Sequence, residues 1–266
     1  MIADFRIICE NVCDIARSAG KFIKSQSTVF KQEDILVKGL HDYVSYVDKT
    51  SEEQIVERLK MLLPSAGFLA EEGTTVTEKK EFTWIIDPLD GTTNFMHGIP
   101  FFSVSIALMQ HQEIVTGVVY EVNQDECFYA WKDGPAYLNG NEIRVSSQSD
   151  LGRSLLSTGF PYYDFSRMGA YMEVLKYFIE NTSGLRRPGS AATDLAYVAC
   201  GRFDGFFEYG LHPWDVAAGS FLVQRAGGRV STFAGNNDFI YGSDILACND
   251  ALYSKIQQIV SGCFNS

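Results

Sequence analysis

The stretch Trp84–Asn94, WIIDPLDGTTN, contains the residues on which every other assignment depends. The apolar run over residues 82–86 predicts a buried strand that ends at two acids, Asp87 and Asp90. Two carboxylates this close repel each other unless a cation lies between them, and Mg²⁺ prefers such oxygen ligands. The turn at residues 91–93 follows, and its backbone N–H groups and hydroxyls suit a phosphate. The stretch therefore indicates a metal together with an anion.

The same residues have an ordinary structural interpretation. Asp-Pro and Asp-Gly are common turn dipeptides, so a strand that ends in an Asp-rich turn is usually followed by nothing more than a turn. Asp87 and Asp90 alone therefore do not establish a site, and the metal hypothesis depends on acids elsewhere in the chain.

Three further stretches place acids where secondary-structure elements begin or end. Glu71 and Glu72 follow a short apolar strand, Asp215 begins a helix, and Asp48 lies just before another helix. Solvated loop charges and helix caps are the alternative interpretations of these acids. Their neighbours are apolar, however, and a charge in such surroundings needs a partner or a metal.

The composition limits the partners that the chain is expected to bind. The 266 residues carry a net charge of −11, which argues against a nucleic-acid or anionic membrane surface. An anionic substrate would need bound cations to reverse the local field. The six cysteines form no CxxC pair and predict reduced thiols. Because residues 1–6 lack a signal-peptide pattern and no run approaches ~18 apolar residues, we expect a cytoplasmic protein.

Hydrophobic periodicity predicts an α/β fold (α+β layered) for a single domain of residues 1–266. Residues from 1 to about 145 combine a long amphipathic helix with a largely antiparallel sheet. A second helix there is expected to open with the capping pattern Ser51–Gln54. Residues from about 146 to 266 alternate strands and helices. No linker separates these halves, so we expect two subdomains that share one interface.

Two runs of sequence together carry a family resemblance. Residues 87–95, DPLDGTTNF, and residues 214–219, WDVAAG, resemble the two signatures of the inositol monophosphatase family, which consists of Mg²⁺-dependent, lithium-sensitive phosphatases. The spacing from Glu71 to Asp215 also matches, as does the run RPGSAA at residues 187–192. The resemblance covers nearly the whole chain, and it implies a five-layer αβαβα sandwich and a homodimer.

The resemblance also implies how two to three Mg²⁺ ions are held. The metal ligands would be Glu71, Asp87, the Leu89 carbonyl, Asp90 and Asp215. Hydrolysis by metal-activated water would follow, with Glu71 and Thr92 orienting the water and Asp48 polarising the Thr92 hydroxyl. The backbone N–H groups of Gly91 and Thr92 would bind the phosphate.

For the alcohol part of the substrate, the resemblance points to a second set of residues. These are Asp90, Gly189, Ser190, Ala191, Glu208 and Asp215. Glu208 is the most informative, because a carboxylate at the end of a strand can accept hydrogen bonds from adjacent hydroxyls; an exposed strand-end acid is the alternative. The expected reaction is hydrolysis of myo-inositol monophosphate to myo-inositol and phosphate.

Other functions on the same scaffold remain as alternatives. A fructose-1,6-bisphosphatase, an NADP phosphatase or a 3′-phosphoadenosine phosphate phosphatase would share the metal-binding half of the site. Residues 160–162 and 186–187 further resemble the bacterial branch of the family, whose members can associate with transcription machinery. A binding protein without catalysis is therefore the non-enzymatic alternative. Contact with a membrane or direct contact with nucleic acid is not expected.

Overall fold

The apolar spacing near the N-terminus produces the first helix. In the computed structural model, which describes residues 4–30, 36–39, 42–74 and 80–264, helix α1 spans Phe5–Ser27. The side chain of Asp4 accepts hydrogen bonds from the N–H groups of Arg6 and Ile7 at 3.0 and 3.3 Å, and so caps the helix. Buried residues recur every three or four positions, as Cys9, Val12 and Ala16 do, and this stripe faces a β-sheet.

Strands form one pair and two larger sheets. Leu36–Gly39 (β1) and Asp42–Val44 (β2) make an antiparallel pair. The larger sheet contains Gly67–Ala70 (β3), Phe82–Asp90 (β4), Ser103–Gln110 (β5), Glu113–Glu121 (β6), Glu126–Trp131 (β7), Ala136–Leu138 (β8) and Asn141–Ile143 (β9). These seven strands lie side by side in chain order; β3 runs parallel to β4, and the other neighbouring pairs are antiparallel.

The second sheet is mixed and comes from the second half of the chain. Its strands are Leu155–Thr158 (β10), Gly184–Arg186 (β11), Gly205–Tyr209 (β12), Arg229–Ser231 (β13) and Asp244–Cys248 (β14). They lie in the order β11-β10-β12-β14-β13. Strand β10 is parallel to both of its neighbours, whereas β14 is antiparallel to both of its own.

Helices separate and cover the two sheets. Besides α1, they are Tyr46–Leu62 (α2), Thr92–Met96 (α3), Met168–Asn181 (α4), Ala191–Ala199 (α5), Pro213–Arg225 (α6) and Asp250–Phe264 (α7). Helices α1 and α2 cover the outer face of the larger sheet, α5 and α6 fill the space between the sheets, and α4 and α7 cover the far side of the smaller sheet. The predicted five-layer αβαβα order is confirmed.

Three buried apolar clusters fill the interfaces between the layers, and the middle cluster includes residues of both sheets and of α5 and α6. Val12 belongs to the first, Leu222 to the one between the sheets, and Phe178 to the outermost. Because α5 and α6 pack against both sheets, the two halves of the chain share a continuous core. The division into subdomains near residue 145 stays a prediction.

The start of α2 differs from the sequence prediction. The helix begins at Tyr46, and Ser45 rather than Ser51 is its N-cap. Asp48 Oδ2 accepts a hydrogen bond from the Ser45 N–H at 2.8 Å, which completes a capping box six residues earlier than expected. Both serines are followed three residues later by a side chain that can complete such a box, so the pattern alone could not choose between them.

Two further expectations concern the cysteines and the membrane. The six cysteines are free, and four of them are buried. Within the described ranges, no helix combines the length and apolar character that a bilayer crossing requires.

We predict that Gly219→Ala lowers the melting temperature. Gly219 lies on α6 against α5, and a Cβ there would be 2.6 Å from the Cβ of Leu195. Alanine favours a helix over glycine by about 1 kcal/mol, but overpacking costs about 1–3 kcal/mol. The Leu195 Cβ is tied to the backbone and cannot swing away, so the clash dominates. Thermal denaturation checks this, with Gly169→Ala on α4 as the control because its Cβ would meet no atom within 4 Å. A raised melting temperature for Gly219→Ala would contradict the packing argument.

Candidate active site

An irregularity at the end of β4 brings two acids to the same side of the larger sheet. Asp87 pairs with Ser105 on β5, and Asp90 pairs with Ser103. A step of three residues on β4 therefore matches a step of two on β5, which is a β-bulge. Because side chains alternate along a strand, acids three residues apart would otherwise point to opposite faces. The predicted strand, which ended at Ile86, was too short because it did not anticipate the bulge.

A third acid joins these two from helix α6. Carboxylate oxygens of Asp87, Asp90 and Asp215 all lie within 4.8 Å of one another. Asp215 is in the first turn of α6, where its Oδ2 accepts a hydrogen bond from the His212 N–H at 2.7 Å. Ser105 Oγ donates to the Trp214 carbonyl at 3.1 Å and so ties the start of α6 to β5. Asp215 thus caps a helix and belongs to an acid cluster at once.

Glu71 extends the cluster from the end of β3. Its carboxyl group lies beside that of Asp87, close enough for each to shift the pKa of the other. The turn that follows is held by Glu52, whose carboxylate accepts hydrogen bonds from the N–H groups of Glu72 and Thr74 at 2.7 and 2.8 Å. Glu52 is fully buried on α2, whereas the sequence placed it at the start of that helix. Its supporting role was missed, and no local signal distinguishes it from the exposed Glu53.

Asp48 connects α2 to the turn after β4. Its Oδ2 caps α2 through Ser45, while its Oδ1 accepts a hydrogen bond from the Thr92 hydroxyl at 3.1 Å. The Thr92 hydroxyl also lies 3.0 Å from the Leu89 carbonyl oxygen. The two interpretations of Asp48, as a helix cap and as a partner of Thr92, are therefore both correct in geometry.

Residues at the start of α5 donate hydrogen bonds to Asp90. Asp90 Oδ2 accepts hydrogen bonds from the Ser190 hydroxyl at 2.6 Å and the Ala192 N–H at 2.7 Å. Asn94 Nδ2 donates to the Pro188 carbonyl at 2.9 Å, so the signature at residues 87–95 is joined directly to the run at residues 187–192. Gly189 has a φ of +100°, a backbone conformation that favours glycine. The Ser190 hydroxyl is directed at Asp90, and contact between residue 190 and the substrate stays a prediction.

A cleft lies where these elements meet. The predicted site residues that line it are Glu71, Asp90, Gly91, Thr92, Gly189, Ser190, Ala191, Glu208 and Asp215. Asp48, Asp87 and Leu89 are buried and do not line it. Glu208 is 5% exposed and packs against Gly159, where a Cβ would lie 2.0 Å from the Glu208 carboxylate. All substrate-side residues predicted from the sequence thus share one cleft.

Several residues of the cleft were not assigned from the sequence. Arg187 lies 5.2 Å from the ring centroid of Phe160 and 5.6 Å from that of Tyr162, and it hydrogen-bonds the Tyr162 hydroxyl. Tyr162, Arg187 and Trp214 all line the cleft, and so does Asp194 on α5. The sequence alone did not place Tyr162 and Arg187 in the cleft, because distance along the chain does not reveal which side chains share a wall.

Burial and mutual repulsion weaken the acidity of the cluster. Burial raises the pKa of Asp215 to about 7 and that of Asp90 to about 6, although hydrogen bonds from Ser190 and Ala192 hold the Asp90 pKa lower. The pKa values of Glu71 and Asp87 lie well above the usual range, because both groups are buried beside other acids. A set of oxygen donors that repel one another in this way fits a hard cation such as Mg²⁺.

We expect Glu52→Gln to weaken Mg²⁺ binding by about 10-fold or more, the range found when a group that orients a metal ligand is lost. The substitution replaces an acceptor of the Glu72 and Thr74 N–H groups with an amide, which loosens the turn that carries Glu71. Titration calorimetry with MgCl₂ measures the effect. Glu53→Gln, the exposed neighbour on the same helix, is the matched control and should bind Mg²⁺ like the wild type. Equal Mg²⁺ affinities for the two variants would contradict the supporting role of Glu52.

A second prediction concerns pH and stability without metal. In EDTA, the melting temperature should fall between about pH 4 and pH 7, because the folded state retains protons on Asp90 and Asp215 that the unfolded state has already released. Mg²⁺ should raise the melting temperature more at pH 8 than at pH 5, since protons compete for its ligands. Asp215→Asn should show a shallower fall than the wild type in the same buffers. A wild-type melting temperature that rises over this range would show that the cluster does not carry the predicted repulsion.

Comparison with known proteins agrees with this geometry. The sequence model of the Inositol monophosphatase family matches residues 8–262. The Nus factor SuhB of Pseudomonas aeruginosa is 41% identical over 251 residues, which cover 91% of this chain and 93% of that protein. The inositol-1-monophosphatase of Mesorhizobium japonicum is 39% identical over 246 residues, 92% of each chain.

Solved structures show the same relationship in three dimensions. The extragenic suppressor protein suhB of Bartonella henselae superposes with a TM-score of 0.90 at 38% identity and covers 96% of this chain and 98% of its own. The inositol monophosphatase of Anabaena gives 0.86 at 34% identity, with coverage of 98% and 97%. The chain therefore belongs to the inositol monophosphatase family.

Proposed function

We propose that the protein is a Mg²⁺-dependent phosphomonoesterase that hydrolyses myo-inositol monophosphate to myo-inositol and phosphate. The observation that carries this proposal is the convergence of Asp87, Asp90 and Asp215 within 4.8 Å beside a cleft that contains Glu208. Membership of the family supports a phosphatase, and the name of the Mesorhizobium japonicum relative supports an inositol phosphate as the substrate.

The acid cluster is the proposed binding site for two to three Mg²⁺ ions. Their ligands would be Glu71, Asp87, the Leu89 carbonyl, Asp90 and Asp215. When bound, Mg²⁺ supplies Lewis-acid activation of water and neutralises negative charge on the leaving oxygen. The chain's own acids supply the negative charge that holds the cations, in agreement with their raised pKa values.

The residues around Thr92 would position the attacking water. When the Thr92 hydroxyl donates its proton to Asp48, its oxygen lone pairs are available to accept a hydrogen bond from that water. Glu71, at the end of the neighbouring parallel strand β3, would accept the proton that the water loses as it attacks. The N–H groups of Gly91 and Thr92, at the first turn of α3, would bind phosphate oxygens.

The far part of the cleft would bind the alcohol. Glu208 has room for its carboxylate only because residue 159 is glycine. A buried carboxylate beside the backbone of residues 189–191 offers acceptors for ring hydroxyls. Asp90 and Asp215 would contact the hydroxyls nearest the phosphate.

A nucleotide or a bisphosphate is the second candidate substrate. Tyr162 and Trp214 supply aromatic rings in the cleft, and Arg187 supplies a guanidinium. Such groups suit a base or a second phosphate. They favour an NADP phosphatase, a 3′-phosphoadenosine phosphate phosphatase or a fructose-1,6-bisphosphatase as the enzymatic alternative.

Association with transcription machinery is a further candidate role. The Pseudomonas aeruginosa relative is named a Nus factor. A net charge of −11 favours a protein partner over direct contact with nucleic acid, and neither this role nor a homodimer requires the catalytic residues to change. We also propose a cytoplasmic location.

The proposal predicts Mg²⁺-dependent phosphate release from a panel of phosphomonoesters. Purified protein should show its highest kcat/KM with myo-inositol 1-phosphate, compared with fructose 1,6-bisphosphate, NADP and 3′-phosphoadenosine phosphate. Millimolar Li⁺ should inhibit at limiting Mg²⁺. Asp90→Asn should reduce turnover to background, because it removes a charge from the cation site, while thermal denaturation shows that it still folds.

Each outcome of this panel decides between the candidates. No Mg²⁺-dependent release from any substrate would refute the enzymatic proposal and favour the binding role. A higher kcat/KM for a nucleotide or bisphosphate would promote the second candidate substrate. Near-normal turnover by Asp90→Asn would refute the metal role of that residue.

A further inference from the structure

Asp194 is a buried acid in the cleft for which the proposed reaction has no use. It lies in the first turn of α5, its side chain is 1% exposed, and its Oδ1 atom has no hydrogen-bond partner among the described residues. The side chain lines the cleft. An unpaired buried polar atom destabilises a fold, because it has lost its hydrogen bonds to water and makes none to the protein.

The rest of α5 shows what the position would otherwise hold. Its other residues are buried and mostly apolar, as Leu195, Ala196 and Val198 are. An apolar side chain at position 194 would continue this pattern without the loss of hydration. Packing therefore does not explain the acid, and a group that enters the cleft can supply the missing hydrogen bonds.

The charges around Asp194 indicate what kind of group that is. Glu208 and Asp90 are the negative groups that act on it, and Arg187 is the positive one. Arg187 is engaged with Phe160 and Tyr162, and no salt bridge joins it to Asp194 in the described part of the chain. Burial, together with these neighbouring acids, raises the pKa of Asp194 well above the usual range. An acid in these surroundings favours a group that donates hydrogen bonds to it.

Two carboxyl groups therefore line the same cleft without belonging to the metal cluster. Glu208 comes from β12 and Asp194 from α5, and neither is among the three acids whose oxygens converge. A pair of carboxyl groups suits neutral hydroxyls, which donate and accept hydrogen bonds. The same pair repels a second phosphate.

We infer that Asp194 is a specificity-determining residue that, with Glu208, hydrogen-bonds hydroxyl groups of the substrate alcohol and selects against alcohols that carry a second phosphate. The inference rests on the proposed phosphomonoesterase function. It assigns polyol selection to a residue that neither the metal cluster nor the family signatures include.

Asp194→Asn and Asp194→Ala test the inference through a ratio of substrates. The ratio of kcat/KM for myo-inositol 1-phosphate to that for p-nitrophenyl phosphate, which has no alcohol hydroxyls, should fall by about 10- to 100-fold in Asp194→Ala, the range for loss of a hydrogen bond to a charged group. The loss should appear in KM, with kcat for p-nitrophenyl phosphate unchanged. In Asp194→Asn, relative activity on fructose 1,6-bisphosphate should rise, since one negative charge is gone.

Thermal denaturation separates this role from a structural one. Asp194→Asn should melt at or above the wild-type temperature, because the acid lacks a full set of partners in the free protein. Asp204→Asn is the matched control: its carboxylate accepts a hydrogen bond from the Leu155 N–H at 2.7 Å, so the variant should melt lower and keep the wild-type substrate ratio. Equal losses on both substrates together with a lower melting temperature for Asp194→Asn would overturn the inference.

A binding measurement keeps the inference testable if the proposed activity fails. With Mg²⁺ and inorganic phosphate present, myo-inositol should raise the melting temperature of the wild type and do so less for Asp194→Ala. No hydrolysis by the wild type, with this difference intact, would refute the proposed function but support the binding role of Asp194. Equal stabilisation of both proteins, or none of either, would overturn the inference.

Discussion

Repulsion among buried acids is the constraint on which this structure depends. Asp87, Asp90 and Asp215 place carboxylate oxygens within 4.8 Å of one another, and Glu71 adds a fourth acid beside them. Such an arrangement opposes folding unless protons or cations neutralise it. The repulsion that opposes folding is therefore the same interaction that would favour binding of a divalent cation. The surrounding helices and strands must hold the acids in place against this repulsion.

The fold restrains the acids with ordinary structural devices. A β-bulge turns Asp87 and Asp90 to one side, and the first turn of α6 fixes Asp215 through its own capping hydrogen bond. Glu52 reaches from α2 to hold the turn after Glu71, at 2.7 Å from the Glu72 N–H. Capping a helix and belonging to the site are thus not alternatives for these acids, because one oxygen of a carboxylate can cap a helix while the other faces a partner.

Whether the sequence predicted a residue of the site depends on how far along the chain its interaction partners lie. Asp87 and Asp215 were found because each stands at the end of an element, within a few residues of the signal that ends or begins it. Glu52 was not found, because its partners lie 20 and 22 residues further along the chain. Starting α2 at Ser51 rather than Tyr46 also hid its role, since Glu52 then occupied the exposed first turn instead of a buried face.

The sequence by itself determined the α/β class from local periodicity, and it determined the acids of the cluster and the family resemblance from short runs of residues. The five-layer order came with that resemblance. Only the tertiary structure decided which acids face the cleft, that Arg187 and Tyr162 form part of its wall, and that Asp194 is buried without a full set of partners. The physical reason is that burial and hydrogen-bond satisfaction are properties of packed neighbours. The strand and loops that surround Asp194 on α5 come from distant parts of the chain. No local sequence pattern indicates where these segments pack together.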